Sequence, residues 1–129
     1  GCGTGQYGRM FAEQGLSVSF GSEFTGNLDV PYRTRSGQAV SFLGACNAHD
    51  RCWGEGNDRT WCDLSFRDNM IRACSLEADT AGYGTCMGMA SAYHAGVSSS
   101  YATAHYNQTL ANRECTAWVH DMRANNCPP

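Results

Sequence analysis

Eight cysteines in 129 residues are the feature that most limits how this chain can fold. An even and dense set of cysteines in a short chain is typical of a disulfide framework made in an oxidising compartment. Zinc is the alternative use of cysteine, but structural zinc sites take ligand pairs at spacings such as C-x-x-C, and this chain has none. The sequence therefore predicts a crosslinked, secreted, extracellular protein.

Length and charge limit the domain count and the classes of partner. A chain of 129 residues is expected to form one domain over 1–129. The formal net charge of -3 argues against nucleic acid as the main partner, because phosphate binding needs a clustered basic face. No stretch matches the run of about 20 apolar residues that a transmembrane helix needs. The start at Gly1 is expected for a processed or excised piece.

Apolar residues recur at helical intervals over much of the chain, which predicts a mostly α-helical fold. Thr60 is the expected N-cap of the second helix, which would place Asp63 at its third position. The predicted helices cover 38–53, 61–74, 86–97 and 110–126. The predicted loops cover 1–38 and 78–84, and the first of these loops has room for a short helix near 9–15.

The stretch "GACNAHDRCWG" at 44–54 sets a histidine and an aspartate between two cysteines. If Cys52 bonds Cys62, the loop between the first two helices is closed at its base. In an antiparallel pair, His49 and Asp63 would then face each other across the interhelical groove. A carboxylate that accepts a hydrogen bond from one ring nitrogen fixes the tautomer and leaves the other nitrogen as a base.

The stretch "GCGTG" at 1–5 has glycine at alternate positions. Such a loop can curl so that main-chain carbonyls converge, a geometry that suits a hard cation such as Ca²⁺. A Cys2–Cys46 bond would bring this loop within one helical turn of His49 and Asp50. Asp50 points about 100° away from His49 around the helix axis and is available for another task.

These motifs resemble those of the secreted phospholipase A2 enzymes. The pattern C-x-x-H-D-x-C, then C-D-x-x-F, with C-G-x-G upstream, looks most like their bacterial and fungal members and the related domains of bacterial toxins. The resemblance covers 1–5 and roughly 38–90, and is weak beyond. It implies a disulfide-stapled helical domain with two antiparallel catalytic helices and an N-terminal glycine-rich calcium loop. The implied activity is calcium-dependent hydrolysis of the sn-2 ester of phospholipids at a membrane or micelle surface.

The resemblance also implies a role for each motif residue. His49 would be the general base that takes a proton from water, and Asp63 would orient it. Gly3 N–H would help to stabilise the oxyanion. The Ca²⁺ ligands would be one carboxylate and three main-chain carbonyls, from Asp50, Gly1, Gly3 and Gly5.

The resemblance implies the cysteine pairs too. It gives Cys2–Cys46 and Cys52–Cys62, and Cys74–Cys86 matches the bacterial members. The two cysteines that remain, Cys115 and Cys127, would form the fourth pair.

Several positions leave alternatives open. Many relatives carry Tyr at the position of Trp53, and its hydroxyl helps to hold the aspartate. Either the indole N–H takes that place here or Asp63 is held more weakly. Asp68 competes with Asp63 as the orienting carboxylate, but it lies more than a turn further along the helix. Residues expected outside the site are His94, His105 and His120; those expected at an apolar rim are Phe20, Phe24, Tyr32 and Trp53.

Two other functions remain open beside the secreted enzyme. One is a catalytically silent, phospholipase-like binding protein, and the other is a phospholipase toxin domain that acts in a target cell. Silent relatives often lose the base or the calcium carboxylate. Both His49 and Asp50 are present here, which favours an enzyme.

Overall fold

A short hairpin followed by four helices forms the described part of the molecule. A computed structural model of the chain describes residues 1–2 and 22–122, apart from the side chains at 101 and 116–122. The elements are β1 (Tyr32–Arg33), β2 (Ala39–Val40), α1 (Leu43–Gly54), α2 (Arg59–Cys74), α3 (Thr80–Val97) and α4 (Ser100–Met122). The predicted mostly helical fold is confirmed, whereas the short helix expected near 9–15 lies outside the described residues.

The β1–β2 hairpin stands where the sequence predicted a loop and the start of a helix. The strands are antiparallel, with Tyr32 opposite Val40. Gly37 closes the turn with φ of +94°, a conformation that glycine adopts without steric cost. Tyr32 and Val40 are both buried, so the apolar residue at 40 belongs to a strand, and α1 begins only at Leu43. The loop prediction for 1–38 and the helix start at 38 were therefore wrong here.

Helix α2 begins earlier than predicted, because its N-cap is Asp58. The Asp58 carboxylate accepts a hydrogen bond from the Trp61 main-chain N–H at 3.0 Å. Such a bond satisfies one of the N–H groups that have no partner at the start of a helix. Thr60 therefore lies inside the first turn, and Asp63 occupies the fifth helical position rather than the third.

Helices α3 and α4 also begin earlier than their apolar patterns suggest. Asp79 caps α3 and accepts from the Gly82 N–H at 2.8 Å. The prediction of a loop over 78–84 holds for 78–79 and was wrong for 80–84, because this cap stabilises a first turn that is rich in glycine. Helix α4 follows after only two residues, at Ser100, well before the predicted start near residue 110.

The packing centres on α2, which contacts both α1 and α3, while α4 packs mainly on α1. Three disulfides join these parts as predicted, with Cα–Cα distances of 5.4, 5.7 and 5.7 Å for Cys2–Cys46, Cys52–Cys62 and Cys74–Cys86. Cys115 is also disulfide-bonded. Its predicted partner, Cys127, lies outside the described residues.

The core contains two of the residues that were expected at an apolar rim. Tyr32 and Trp53 are only 0% and 2% exposed, so that prediction was wrong for both. Phe24 is partly buried against the core, and Phe20 lies outside the described residues. Among the residues that the structure describes, the large apolar side chains that are exposed are Leu43, Trp61, Leu64 and Leu76. No helix in the described part of the chain has both the length and the apolar character to cross a membrane.

Candidate active site

His49 and Asp63 contact each other directly between α1 and α2. His49 Nε2 lies 2.7 Å from Asp63 Oδ1. The contact was predicted from the Cys52–Cys62 crosslink, which lies beside both residues. From the Cys52–Cys62 bond to the His49–Asp63 contact, the residue numbers decrease along α1 and increase along α2. The two helices therefore run antiparallel. Both side chains are buried, with exposed fractions of 0% and 6%.

Trp53 supports this pair through a hydrogen bond and through its ring. The indole Nε1–H donates to Asp63 Oδ1 at 3.2 Å, so of the two alternatives left open for Trp53, the structure has the one in which the indole N–H holds the aspartate. The ring centroids of Trp53 and Phe66 lie 4.5 and 4.7 Å from that of His49. These apolar walls lower the local dielectric, which strengthens the hydrogen bonds of the pair.

The contact with Asp63 fixes the protonation pattern of the neutral His49 ring. A carboxylate only accepts, so Nε2 carries the hydrogen and donates it. The proton-accepting atom of that tautomer is then Nδ1. An imidazole held in this way can act as a general base, and Asp63 can stabilise the imidazolium that forms.

Asp68 and Arg59 lie on the same helix as Asp63 and have different surroundings. Asp68 is exposed, so the carboxylate that meets His49 is that of Asp63. Arg59 Nε lies 3.6 Å from Asp63 Oδ2. Sequence reasoning missed this cation, although a position four residues before Asp63 on a helix was a usable signal.

The expected calcium site lies only partly within the described residues. Asp50 is half-buried on α1, and Cys2 is tied to Cys46 one turn before it. Gly3 and Gly5 lie outside the described residues. No group of three or more His, Cys, Asp or Glu side chains gathers within the part of the chain that is described. A site built mainly from main-chain carbonyls would not form such a group, and carboxylate and carbonyl oxygens suit Ca²⁺.

Asp29 holds the start of the glycine-rich loop, and sequence reasoning did not identify it. The Cys2 main-chain N–H donates to Asp29 Oδ1 at 2.5 Å. A Cβ added at Gly1 would come within 2.8 Å of the same oxygen, so this close approach suits glycine. The partners are 27 residues apart, and no local pattern connects them.

Two pockets flank the His49–Asp63 pair. The first, of about 260 Å³, is lined in part by His49, Trp61 and Phe66. The second, of about 290 Å³, is lined in part by Asp63 and His94. The pair therefore forms a wall between two depressions in the surface.

The other histidines occupy different surroundings. His94 was expected away from the site, but it is half-buried in the second pocket, where burial lowers its pKa. His105 is half-buried, with its ring centroid 6.3 Å from that of Trp53. The His120 side chain lies outside the described residues.

Comparison of the chain with models of protein families, with curated proteins and with solved structures finds no match. The resemblance to phospholipase A2 therefore rests on the motif residues themselves.

Proposed function

We propose that this protein is a secreted, calcium-dependent phospholipase A2, which hydrolyses the sn-2 ester of glycerophospholipids. The observation that carries the proposal is the buried contact of 2.7 Å between His49 Nε2 and Asp63 Oδ1. Burying a histidine–carboxylate pair in an apolar core is costly unless its hydrogen bonds are satisfied. Trp53 supplies such a bond to the same carboxylate. This arrangement supports a general base better than it supports a solvated surface pair.

In the proposed reaction, His49 Nδ1 takes a proton from a water molecule as the water oxygen attacks the ester carbonyl carbon. Asp63 stabilises the resulting imidazolium through Nε2–H. When the bond from that carbon to the glycerol oxygen breaks, the imidazolium returns the proton to the leaving oxygen. The products are a fatty acid and a lysophospholipid, and no covalent enzyme intermediate forms.

The proposal places the cation beside Asp50 on α1. The Asp50 carboxylate and the carbonyls of Gly1, Gly3 and Gly5 would hold Ca²⁺, which when bound would polarise the ester carbonyl and stabilise the oxyanion. Within the described residues, Asp29 and the Cys2–Cys46 disulfide would hold the start of this loop against α1. Gly3 N–H would donate to the oxyanion.

Fatty-acid release from mixed phospholipid micelles tests the proposal. Release should stop with excess chelator, and His49→Gln should lower it by roughly 10²- to 10⁴-fold, the usual contribution of a general base. Asp63→Asn should also lower it strongly. Asp68→Asn is the matched control, because Asp68 is an exposed carboxylate on the same helix.

Two results would contradict the proposal. Undiminished release by His49→Gln would place the chemistry elsewhere. A folded parent that binds Ca²⁺ but releases no fatty acid would instead indicate a silent binding protein. A lipid labelled only in its sn-2 chain identifies the ester that is cut.

A further inference from the structure

Arg59, the first residue of α2, is the charged group beside the second oxygen of Asp63. The hydrogen bonds from His49 and Trp53 both go to Oδ1 of that carboxylate. Oδ2 instead lies 3.6 Å from Arg59 Nε, which is buried and has no hydrogen-bond partner among the described residues. Arg59 therefore acts on Asp63 through its charge rather than through a short directional bond.

The guanidinium of Arg59 is anchored at the junction of α3 and α4. Its Nη2 donates to Val97 O at 2.9 Å and to Ser99 O at 3.1 Å. Its Nη1 donates to Thr103 Oγ1. The guanidinium carbon also lies 5.9 Å from the centroid of the Trp53 ring, within the range of a cation–π contact. The cation is thus fixed by groups outside α2.

A fixed cation at this place restricts the rotation of the Asp63 carboxylate. The terminal torsion of an aspartate is broad, so a carboxylate held through one oxygen can turn. Turning would weaken both hydrogen bonds to Oδ1, including the one that orients His49. His94 lines the pocket on the same side, but burial lowers its pKa and so favours its neutral form. Arg59 is the better partner for Oδ2.

We propose that Arg59 is a positioning residue, which keeps Asp63 Oδ1 aimed at His49 and ties this orientation to the α3–α4 junction. Its effect on rate rests on the proposed function. Its effect on the geometry of the His49–Asp63 pair does not.

Two substitutions separate charge from anchoring. Arg59→Gln removes the charge, whereas Arg59→Lys keeps a cation but loses the fork that reaches several oxygens. Arg113→Gln is the control, because Arg113 also donates to a main-chain carbonyl, that of Gly54, at 3.2 Å. Chemical denaturation gives the stability of each variant, so loss of folding is measured separately from loss of rate.

The two readouts are the kinetic constants and the downfield proton resonance of His49 Nε2–H, which is assigned by its absence in His49→Gln. Arg59→Gln should lower kcat by about 10- to 100-fold, the effect of small misplacements of reacting groups, and leave KM nearly unchanged. It should also shift or broaden the resonance. Arg59→Lys should keep part of the parent's kcat and part of its resonance signal. Arg113→Gln should change neither kcat nor the resonance.

Other outcomes would overturn the proposal. Parent-like kcat and a parent-like resonance in Arg59→Gln, with only lower stability, would make Arg59 a structural clamp. Equal impairment of the Lys and Gln variants would assign the effect to the hydrogen bonds at the α3–α4 junction and not to the charge beside Asp63. If the parent releases no fatty acid, the proposed function fails, while the resonance still decides whether Arg59 positions the pair.

Discussion

Trp53 acts on the His49–Asp63 pair in two ways that a substitution can separate. Its Nε1–H donates to Asp63 Oδ1, and its ring packs against the ring of His49. Phenylalanine retains an aromatic wall but has no donor. Trp53→Phe therefore removes the hydrogen bond to Asp63 and keeps an aromatic ring beside His49.

We expect Trp53→Phe to lower kcat by about tenfold, equivalent to about 1.4 kcal/mol of transition-state stabilisation. Stability should fall by about 1.5–3 kcal/mol, because a hydrogen bond to a buried charge is lost. Urea unfolding and fatty-acid release measure the two effects. Trp61→Phe is the control for stability, since Trp61 is 60% exposed, and should change it by less than about 0.5 kcal/mol. Parent-like kcat in Trp53→Phe would show that only the ring matters.

Gly82 in α3 is expected to tolerate no side chain. An added Cβ would lie 2.6 Å from Glu77 Oε2 and would also clash with the Tyr32 hydroxyl. Gly82→Ala should destabilise the fold by about 1–3 kcal/mol through overpacking, although alanine favours helix. Gly84→Ala in the same helix meets nothing within 4 Å and should stabilise by up to about 1 kcal/mol. Chemical denaturation that ranks Gly82→Ala at or above the parent would contradict this.

At the scale of elements, a buried glutamate joins the hairpin to the connection between α2 and α3. Glu77 Oε2 accepts from the Tyr32 hydroxyl at 2.5 Å and from the Arg35 N–H at 2.9 Å. Its other oxygen accepts from the Asp79 N–H at 3.0 Å, beside the cap of α3. The Tyr32 hydroxyl lowers the pKa of Glu77, with the main-chain donors adding to the effect. The ionised carboxylate therefore stabilises the fold.

This lowered pKa makes a prediction with a definite sign. A carboxyl whose pKa is lower in the folded state contributes stability above its unfolded value, and that stability is lost as pH falls through the folded value. Glu77→Gln should therefore be less stable than the parent at neutral pH, with the difference narrowing in acid below the ordinary value of 4.5. Melting temperatures from neutral to strongly acidic pH test this. A difference that does not change with pH would exclude an ionic contribution.

The sequence was sufficient for elements that carry a local pattern, and insufficient for those set by distant partners. The motif predicted that His49 meets Asp63, because a ten-residue crosslink fixes the helix register. The start of α3 was missed, since its glycine-rich first turn depends on the Asp79 cap. Arg59 and Asp29 were missed as well. Arg59 lies only four residues before Asp63, but the groups that anchor its guanidinium lie 38–44 residues away. The partner of Asp29 lies 27 residues away, and only the folded chain brings such groups together.

At the scale of the whole molecule, the disulfides close loops of very different length. Cys2–Cys46 joins residues 44 apart, whereas Cys52–Cys62 joins residues 10 apart. In the chain-entropy account, a crosslink stabilises mainly by restricting the unfolded chain, and more so for longer loops. The crosslink that holds the N-terminal segment should therefore contribute more to global stability than the one beside the His49–Asp63 pair.

Replacing each pair by serine tests this difference. The loop-length relation predicts losses of about 4 kcal/mol for Cys2→Ser with Cys46→Ser, and about 2.7 kcal/mol for Cys52→Ser with Cys62→Ser. Guanidinium unfolding measures both. If the short loop contributes more, native-state packing around Cys52–Cys62 outweighs chain entropy.

The short crosslink also has a consequence for the unfolded chain. His49 precedes Cys52 by three residues, and Asp63 follows Cys62 directly. Even when every helix has melted, the oxidised chain keeps the imidazole and the carboxylate on one short tether. The bond shortens the covalent path between these two residues of one chain, and a short flexible link gives an effective concentration in the millimolar range. After heating, the His49–Asp63 pair should thus reassemble without any search through the rest of the chain, provided that this one bond stays oxidised.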